Sequence, residues 1–412
     1  MNIENKNLRF NYVVNILDGA FFGFGMGFAS FSAILPLFIS SLTDSALIIG
    51  LIPAIHNACV QLPQVFMAKS LHRVITFKPP TMRTTIHERL PFLGLALIAW
   101  FLPGINKPVA LALTFAMLIW QGLGAGLTGN AWQNMLGRVI PSDMLATFFG
   151  MQAAAANLLS SGAAVVAGVI LEKVASPGNF SVNFIFCFVL LMISYYFLGL
   201  TREPDREIET LPAAQLSLSK SILAILRRDH PFRWFLITRN LFQFGTMAFA
   251  FYIVYAVRHH SMGEATAGIM IGILLISQTV ANPLLGWLAD RWGRRPVFMG
   301  GALAACFSAI LAWWLPDFNL FFLVFILAAF ANTTFWTIGM AYTLDFGTEA
   351  ERPTYVGMAN TLIAPSAILA PLFGGWVADN FGYQATFLIA AICSVLTVLV
   401  LQFFVTETRP TQ

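Results

Sequence analysis

Three ionisable side chains interrupt long apolar stretches of this chain: Asp18, His56 and Arg239. Charge is costly inside a bilayer, and it persists there where it moves protons or ions, meets a charged solute, or ties helices together. Asp18 lies about two turns into the first apolar run. Sliding the first half of the chain onto the second by 221 residues superimposes Asp18 on Arg239. A carboxylate and a guanidinium that meet in apolar surroundings keep one another charged, and protonating the carboxylate weakens the pair. That is the chemistry of a proton-responsive switch. A static bridge, or two charges in separate watery vestibules, is the plainer alternative. His56, midway along the second run, is either a group that titrates near neutral pH or a hydrogen-bonded packing histidine.

A second group of residues offers hydrogen bonds without charge. Asn57, Gln61 and Gln64 share one side of a helix at spacings of four and three, and Gln278 and Asn282 repeat the pattern in the second half. Such stripes line a pathway or bond neighbouring helices. Trp120, Gln121, Asn130, Trp132 and Gln133 lie in one run, and Asn332, Thr333, Thr334 and Trp336 in another. Aromatic walls with a few amides and hydroxyls suit a moderately sized organic ligand. Gln243, one turn beyond Arg239, joins them as a candidate cavity residue. The four cysteines, Cys59, Cys187, Cys306 and Cys393, lie far apart inside apolar runs without metal-ligand spacing. They read as small buried hydrophobes, and no metal or cofactor is expected.

The elements that hold these residues are membrane helices. Of 412 residues, 58% are hydrophobic and 10% charged, whereas a soluble domain carries roughly a quarter charged residues. That composition excludes a soluble enzyme and a disordered or collagen-like chain. A bilayer core needs about 20 apolar residues per helix. Twelve candidate spans occur, at 11–38, 45–68, 90–104, 108–134, 145–172, 181–200, 234–257, 264–289, 296–315, 318–343, 354–378 and 384–405. The first exceeds a signal-peptide core and reads as a helix. With the N-terminus in the cytoplasm, 19 of the 23 basic residues, Arg89 among them, fall on the cytoplasmic side. The positive-inside rule asks for this asymmetry when twelve spans leave both termini inside. A net charge of +4 gives no case for nucleic acid.

A second internal shift, of 207 residues, aligns Gly150-Met151 with Gly357-Met358. The basic loop Lys69–Arg89, longer than its counterpart near Asp290–Pro296, reconciles the two registers. The expected organisation is a six-helix bundle over 1–200, a cytoplasmic linker over 201–233 and a six-helix bundle over 234–412. Leu216–Trp234 interleaves aliphatic and basic residues, as a helix on the inner membrane surface or a solvated linker does. Glycines crowd the first and fourth spans, where missing side chains let helices approach closely.

Two parallel six-helix halves are a recurrent transporter plan, with the solute site near mid-membrane. The stretch Gly286-Trp-Leu-Ala-Asp-Arg-Trp-Gly-Arg-Arg295 resembles the signature of the major facilitator superfamily between its eighth and ninth helices. It matches at Gly286, Asp290, Arg291, Gly293, Arg294 and Arg295, and the spans, linker and repeat extend the resemblance over essentially the whole chain. The resemblance implies that the first, fourth, seventh and tenth spans line a central cavity, so that Asp18 and Arg239 face each other. It also implies that Asp290 meets the positive end of the fifth span, near Asp143–Ala146. Such a contact exists only when the cytoplasmic side is closed, and acts as a latch between two states. The plainer alternative is that Arg291, Arg294 and Arg295 anchor the loop in the cytoplasm. The matching loop Lys69-Ser-Leu-His-Arg73 lacks the acid and the glycine, so any latch is one-sided. Two marks of the drug–proton antiporters are missing: Leu118 stands where an arginine precedes Gln121-Gly122, and Asn157–Gly168 lacks the glycine-proline pair. The sugar-porter pattern is not found in Leu200–Arg206.

The expectation is an all-α membrane protein with twelve transmembrane helices in two pseudo-symmetric bundles. It would be a secondary active transporter of a prokaryotic inner or plasma membrane. It would move a small neutral or amphipathic organic solute by alternating access, with proton coupling through Asp18, Arg239 and His56. The alternatives are an uncoupled facilitator and a transporter-like membrane sensor without net flux. An intramembrane enzyme needs a clustered nucleophile and base or paired metal ligands, and one carboxylate, one arginine and one histidine on three helices do not supply them. Expected partners are membrane lipids, the solute and protons, with no nucleic acid, and the chain is expected to be a monomer.

Overall fold

The computed structural model describes residues 3–31, 33–43, 46–71, 74–204, 218–253, 255–256, 264–314 and 321–405. Residues 205–217 of the expected linker lie outside them. In chain order the helices are α1 (Ile3–Phe28), α2 (Ile34–Ser40), α3 (Ala46–Gln61), α4 (Gln64–Leu71), α5 (Lys78–Phe101), α6 (Lys107–Val139), α7 (Leu145–Lys173) and α8 (Gly178–Gly199). There follow α9 (Leu218–Arg228), α10 (His230–Gly245), α11 (Glu264–Trp292), α12 (Arg294–Trp314), α13 (Phe322–Thr333), α14 (Gly339–Thr343), α15 (Arg352–Thr361), α16 (Ala364–Phe381) and α17 (Tyr383–Phe404). A 3₁₀ segment, Met247–Phe251, follows α10, and a π-helical turn, Thr334–Ile338, joins α13 to α14.

Among the described residues, nine stretches are long and apolar enough to cross a membrane, and they match the third to sixth and eighth to twelfth expected spans. The first, second and seventh are divided into shorter pieces. Between α3 and α4 stands Pro63, which has no N–H to continue the helical ladder. α1 stops at Phe28, and the chain resumes at Ile34 with Pro36 in the first turn of α2, where a missing N–H is tolerated.

The third span begins at Lys78 rather than at 90, and the expected loop Lys69–Arg89 is helical over much of its length. Pro79 and Pro80 occupy the first helical positions, which need no N–H partner. The carboxylate of Glu203 accepts from the backbone N–H groups of Phe77 at 2.8 Å and Lys78 at 2.7 Å. It thereby caps the positive end of α5. Lys78, Arg83, Glu88 and Arg89 lower the hydropathy of the first half of this helix, which therefore does not stand out as an apolar run. The placement of Arg89 in a loop is corrected accordingly: it is buried inside α5, 2% exposed.

The chain forms two compact units. Unit 1 comprises Met1–Ile140, Ala155–Thr210 and Val356–Thr361; unit 2 comprises Pro141–Ala154, Leu211–Tyr355 and Leu362–Gln412. Two segments, Pro141–Ala154 and Val356–Thr361, therefore group with the opposite sequence half. In unit 1, α5 packs against α6 and α8, and α1 against α8. Its core holds Phe38, Phe92 and Phe184, with Phe38 and Phe184 edge to face at 5.4 Å. In unit 2, α17 packs against α10 and α12, and α11 against α13. There Tyr252 lies between Phe325 and Phe387, at ring separations of 6.2 and 5.4 Å.

Candidate functional site

Asp18 on α1 is enclosed within unit 1, its side chain 6% exposed. Its Oδ1 accepts a hydrogen bond from Ser194 Oγ on α8 at 2.6 Å and lies 3.6 Å from Arg89 Nη2 on α5. The Trp132 indole on α6 also bonds to this carboxylate. Arg89 is held from several sides. Nε donates to Leu191 O at 3.0 Å, Nη1 to Thr85 O at 3.1 Å and to the Thr85 hydroxyl, and Nη2 to Ser194 Oγ at 3.0 Å. Glu88 Oε2 lies 3.6 Å from Arg89 Nη1 and accepts from Thr85 Oγ1 at 3.3 Å. Two carboxylates therefore share one guanidinium. With both ionised the group carries an uncompensated negative charge; with one proton bound it is neutral, which an apolar surrounding favours.

Asp18 and Arg239, expected to face each other, lie in different units, and the ion partner of Asp18 is Arg89. Glu88, Thr85 and Ser194 were not singled out in the sequence, and Arg89 was counted only among the basic residues of a cytoplasmic loop. The available signal was the third span itself, only 15 residues over 90–104, too short for a bilayer core unless extended backwards through Arg89 and Glu88. His56 Nδ1 is 3.3 Å from Gln121 Oε1, and its ring lies 4.1 Å from that of Phe31. Trp120 Nε1 donates to His87 Nδ1 at 3.3 Å.

Two expected cavity residues of unit 1, Asn130 and Gln133, and two of the polar stripe, Gln61 and Gln64, bond one helix to another. Asn360 on α15 donates to Gln64 Oε1 at 2.6 Å and to Gln133 Oε1 at 3.4 Å, and Asn130 donates to Gln64 O at 3.0 Å. Thr361 accepts from Val65 N at 3.2 Å and donates to Gln61 O at 2.9 Å. A Cβ at Gly357 would lie 2.8 Å from Asn130 Nδ2, so close approach of α15 requires glycine there. These amides serve as interhelical bonds.

In unit 2, Asp290 on α11 accepts from the backbone N–H of Ala146 at 3.0 Å and of Thr147 at 2.6 Å, at the start of α7. The first N–H groups of a helix lack internal partners and carry partial positive charge, so a carboxylate is favoured there. A Cβ at Gly286 would overlap Ala146 O, and one at Gly150 would overlap Asn282 O. Gly293, at φ 102°, makes the turn into α12 in a conformation that favours glycine. Arg294 lies 3.7 Å from Asp290, donates to Ala341 O at 2.9 Å and to Ser142 O at 2.5 Å, and pairs with Asp345. Arg295 bonds Leu401 O and Gln402 O at the end of α17, and Arg291 lies over the Trp287 ring at 5.2 Å. Asp345, between α14 and α15, was not singled out in the sequence. Burial pushes its carboxyl up to about 6, although Arg294 beside it pulls the other way.

Arg239 on α10 is 3% exposed and forms no ion pair among the described residues. Its Nε and Nη1 have no hydrogen-bond partner, and its guanidinium carbon lies 5.5 Å from the centre of the Phe335 ring. Gln243 Oε1, one turn on, also has no partner. Asn332 is half-buried, and Trp336, within the π-helical turn, is 46% exposed.

Residues 239–412 match the family model described as Major Facilitator Superfamily. Hippocampus abundant transcript-like protein 1 of Rattus norvegicus is 29% identical over 147 residues, 35% of this chain and 28% of that protein. The Na(+), Li(+), K(+)/H(+) antiporter of Planococcus maritimus is 29% identical over 167 residues, 39% of each. The chain thus matches well under half the length of either relative. Among solved structures, the fucose:proton symporter FucP of E. coli has a TM-score of 0.74 at 16% identity, over 96% of this chain and 100% of that one, a likeness of fold. The chain is thus similar to the major facilitator superfamily of membrane transporters in sequence over residues 239–412 and in fold over nearly its whole length.

Proposed function

We propose that this chain is a secondary active transporter of a prokaryotic inner or plasma membrane. It moves a small neutral or amphipathic organic solute by alternating access and couples that movement to protons at Asp18, Glu88 and Arg89. The observation that carries this reading is the charge count of the buried group: two carboxylates within 3.6 Å of one guanidinium. One proton balances it, and the same proton weakens the hold of Asp18 on Arg89. Because Asp18, Arg89 and Ser194 sit on α1, α5 and α8, proton binding acts directly on the packing of three helices. A bound proton can therefore bias the balance between two arrangements. The Asp290 contact with the start of α7 is the latch of one of them. Lipids and the solute are its partners, and the functional unit is a monomer.

The test uses the purified protein in liposomes with a pH-sensitive dye inside. Sugars, amino acids, organic anions and amphiphilic drugs are added outside in turn without an imposed gradient. A coupled transporter changes the internal pH as one solute class enters, and Asp18→Asn abolishes the pH change. Solute entry with no pH change in the wild type would make it an uncoupled facilitator. No entry from any class would make it a sensor.

A further inference from the structure

Among the described residues three arginines are buried and contrast sharply: Arg89, Arg239 and Arg294 are 2%, 3% and 5% exposed. Arg89 and Arg294 are saturated by carbonyls, hydroxyls and carboxylates. Arg239 has aromatic and backbone neighbours, and among the described residues its Nε and Nη1 donate to nothing. A guanidinium stays charged at physiological pH. Buried donors are hydrogen-bonded as a rule, and a buried charge without a counter-charge is retained for a function.

We infer that Arg239 and Gln243 bind the anionic group of the transported solute, which is an amphipathic organic acid, a carboxylate or sulfonate attached to an apolar body. The inference rests on the transport reading above and narrows its solute class. Four observations place the site in unit 2. The orphaned Nε–H and Nη1–H leave one donor open on each of the two edges along which a guanidinium meets a planar oxyacid. Gln243, at i+4 on the same face of α10, has an amide oxygen without a partner among the described residues, and turning that amide presents its NH₂ to an anion. Gly339 lies beside the guanidinium, where a Cβ would stand in ordinary contact with Nε at 3.7 Å and Nη2 at 3.8 Å, so the glycine leaves that space open. The facing wall is aromatic: Phe335 lies over Arg239, and Phe242 meets Phe335 and Phe298 edge to face at 5.4 and 5.3 Å. Phe335 belongs to the π-helical turn Thr334–Ile338, a local widening of the helix frequent at functional sites. A single charge set among phenylalanines selects one anionic group on an apolar body.

The experiment measures binding to the purified full-length protein in detergent by calorimetry, at one pH and without a gradient. The probes are 4-butylbenzoate, 4-butylbenzenesulfonate, the neutral 4-butylbenzamide and the cationic 4-butylbenzylamine, which share one apolar body. At least one anion should bind about tenfold or more tightly than the amide, since one charge-assisted hydrogen bond is worth that much. Arg239→Gln should abolish the preference while leaving the unliganded melting temperature equal to or above wild type, because an uncompensated charge is removed. Arg239→Lys keeps the charge but not the planar fork, and should weaken anion binding several-fold. Equal affinity for anions and amide in the wild type would overturn the inference, as would an anion preference that survives in Arg239→Gln. If Arg239→Gln does not fold, wild-type anion affinity in Arg239→Lys would overturn it instead. Binding at fixed pH does not depend on proton coupling, so failure here leaves the proton reading standing, and failure of coupling leaves the anion preference in place.

Discussion

Arg89 makes four hydrogen bonds to three other residues in addition to its approach to Asp18, so the two halves of this pair are not equivalent. Arg89→Met leaves two carboxylates buried without a counter-charge and should cost about 3–5 kcal/mol. Asp18→Asn removes one charge but still accepts from Ser194, and should cost about 1–2 kcal/mol. Thermal melts of both variants check this; equal losses would mean that Arg89 does not act as the counter-charge. Asp345 gives a pH signature with a definite sign. Its carboxyl is raised from 3.8 to about 6 in the folded protein, so the folded state binds the proton more tightly. The stability it contributes is present below about 3.8 and is lost as pH rises through about 6. Asp345→Asn should flatten the fall of melting temperature with pH over that window, and an unchanged slope would show that another group titrates there. Asp18 and Arg239 were visible in the sequence because a charge inside an apolar run stands out. The partner of Asp18 was not, because Glu88 and Arg89 sit at the polar end of a span, where charge looks like loop. Ser194 is one hydroxyl in a long apolar helix and gave no signal of its own.

At the scale of elements, the contact between α7 and α11 combines shape and charge. Gly286 and Gly150 allow the backbones to meet, and Asp290 takes two N–H groups at the start of α7. Asp290→Ala removes two charge-assisted hydrogen bonds, each worth about 1.5–3 kcal/mol. Amide exchange at Ala146 and Thr147 should then accelerate at least tenfold, while exchange in the core of α5 stays as in the wild type. Unchanged exchange at those two amides would show that Asp290 does not hold the start of α7. The motif made this contact legible through the family resemblance, which implied that Asp290 meets the start of the fifth span. The starts and breaks of helices were less legible. α5 begins at Lys78 because Pro79, Pro80 and the distant Glu203 make a good start there, and a carboxylate 125 residues away from Lys78 leaves no local trace. The π-helical turn at Thr334–Ile338 was not legible either, and its Thr334 lodges where a Cβ at Gly301 would otherwise stand.

At the scale of the whole molecule, the sequence repeat and the contact-defined units tell different parts of the story. The repeat marks two halves, whereas the units exchange Pro141–Ala154 and Val356–Thr361. Those two segments carry the groups that bond across the halves: Ala146 and Thr147 to Asp290, and Asn360 and Thr361 to the Gln61–Val65 stretch. An alternating-access cycle has to break such bonds, and in the proposed cycle it is the proton at Asp18, Glu88 and Arg89 that shifts the balance. The most direct test compares two modes of uptake in liposomes, using the solute class that enters in the dye experiment. One mode is uptake driven by a pH gradient, the other is exchange against internal solute without a gradient. In Asp18→Asn, gradient-driven uptake should fall at least tenfold while exchange stays within about twofold of wild type, since a tenfold change corresponds to about 1.4 kcal/mol of lost driving interaction. Gradient-driven uptake that survives in Asp18→Asn with the wild-type pH dependence would contradict a proton site at this cluster.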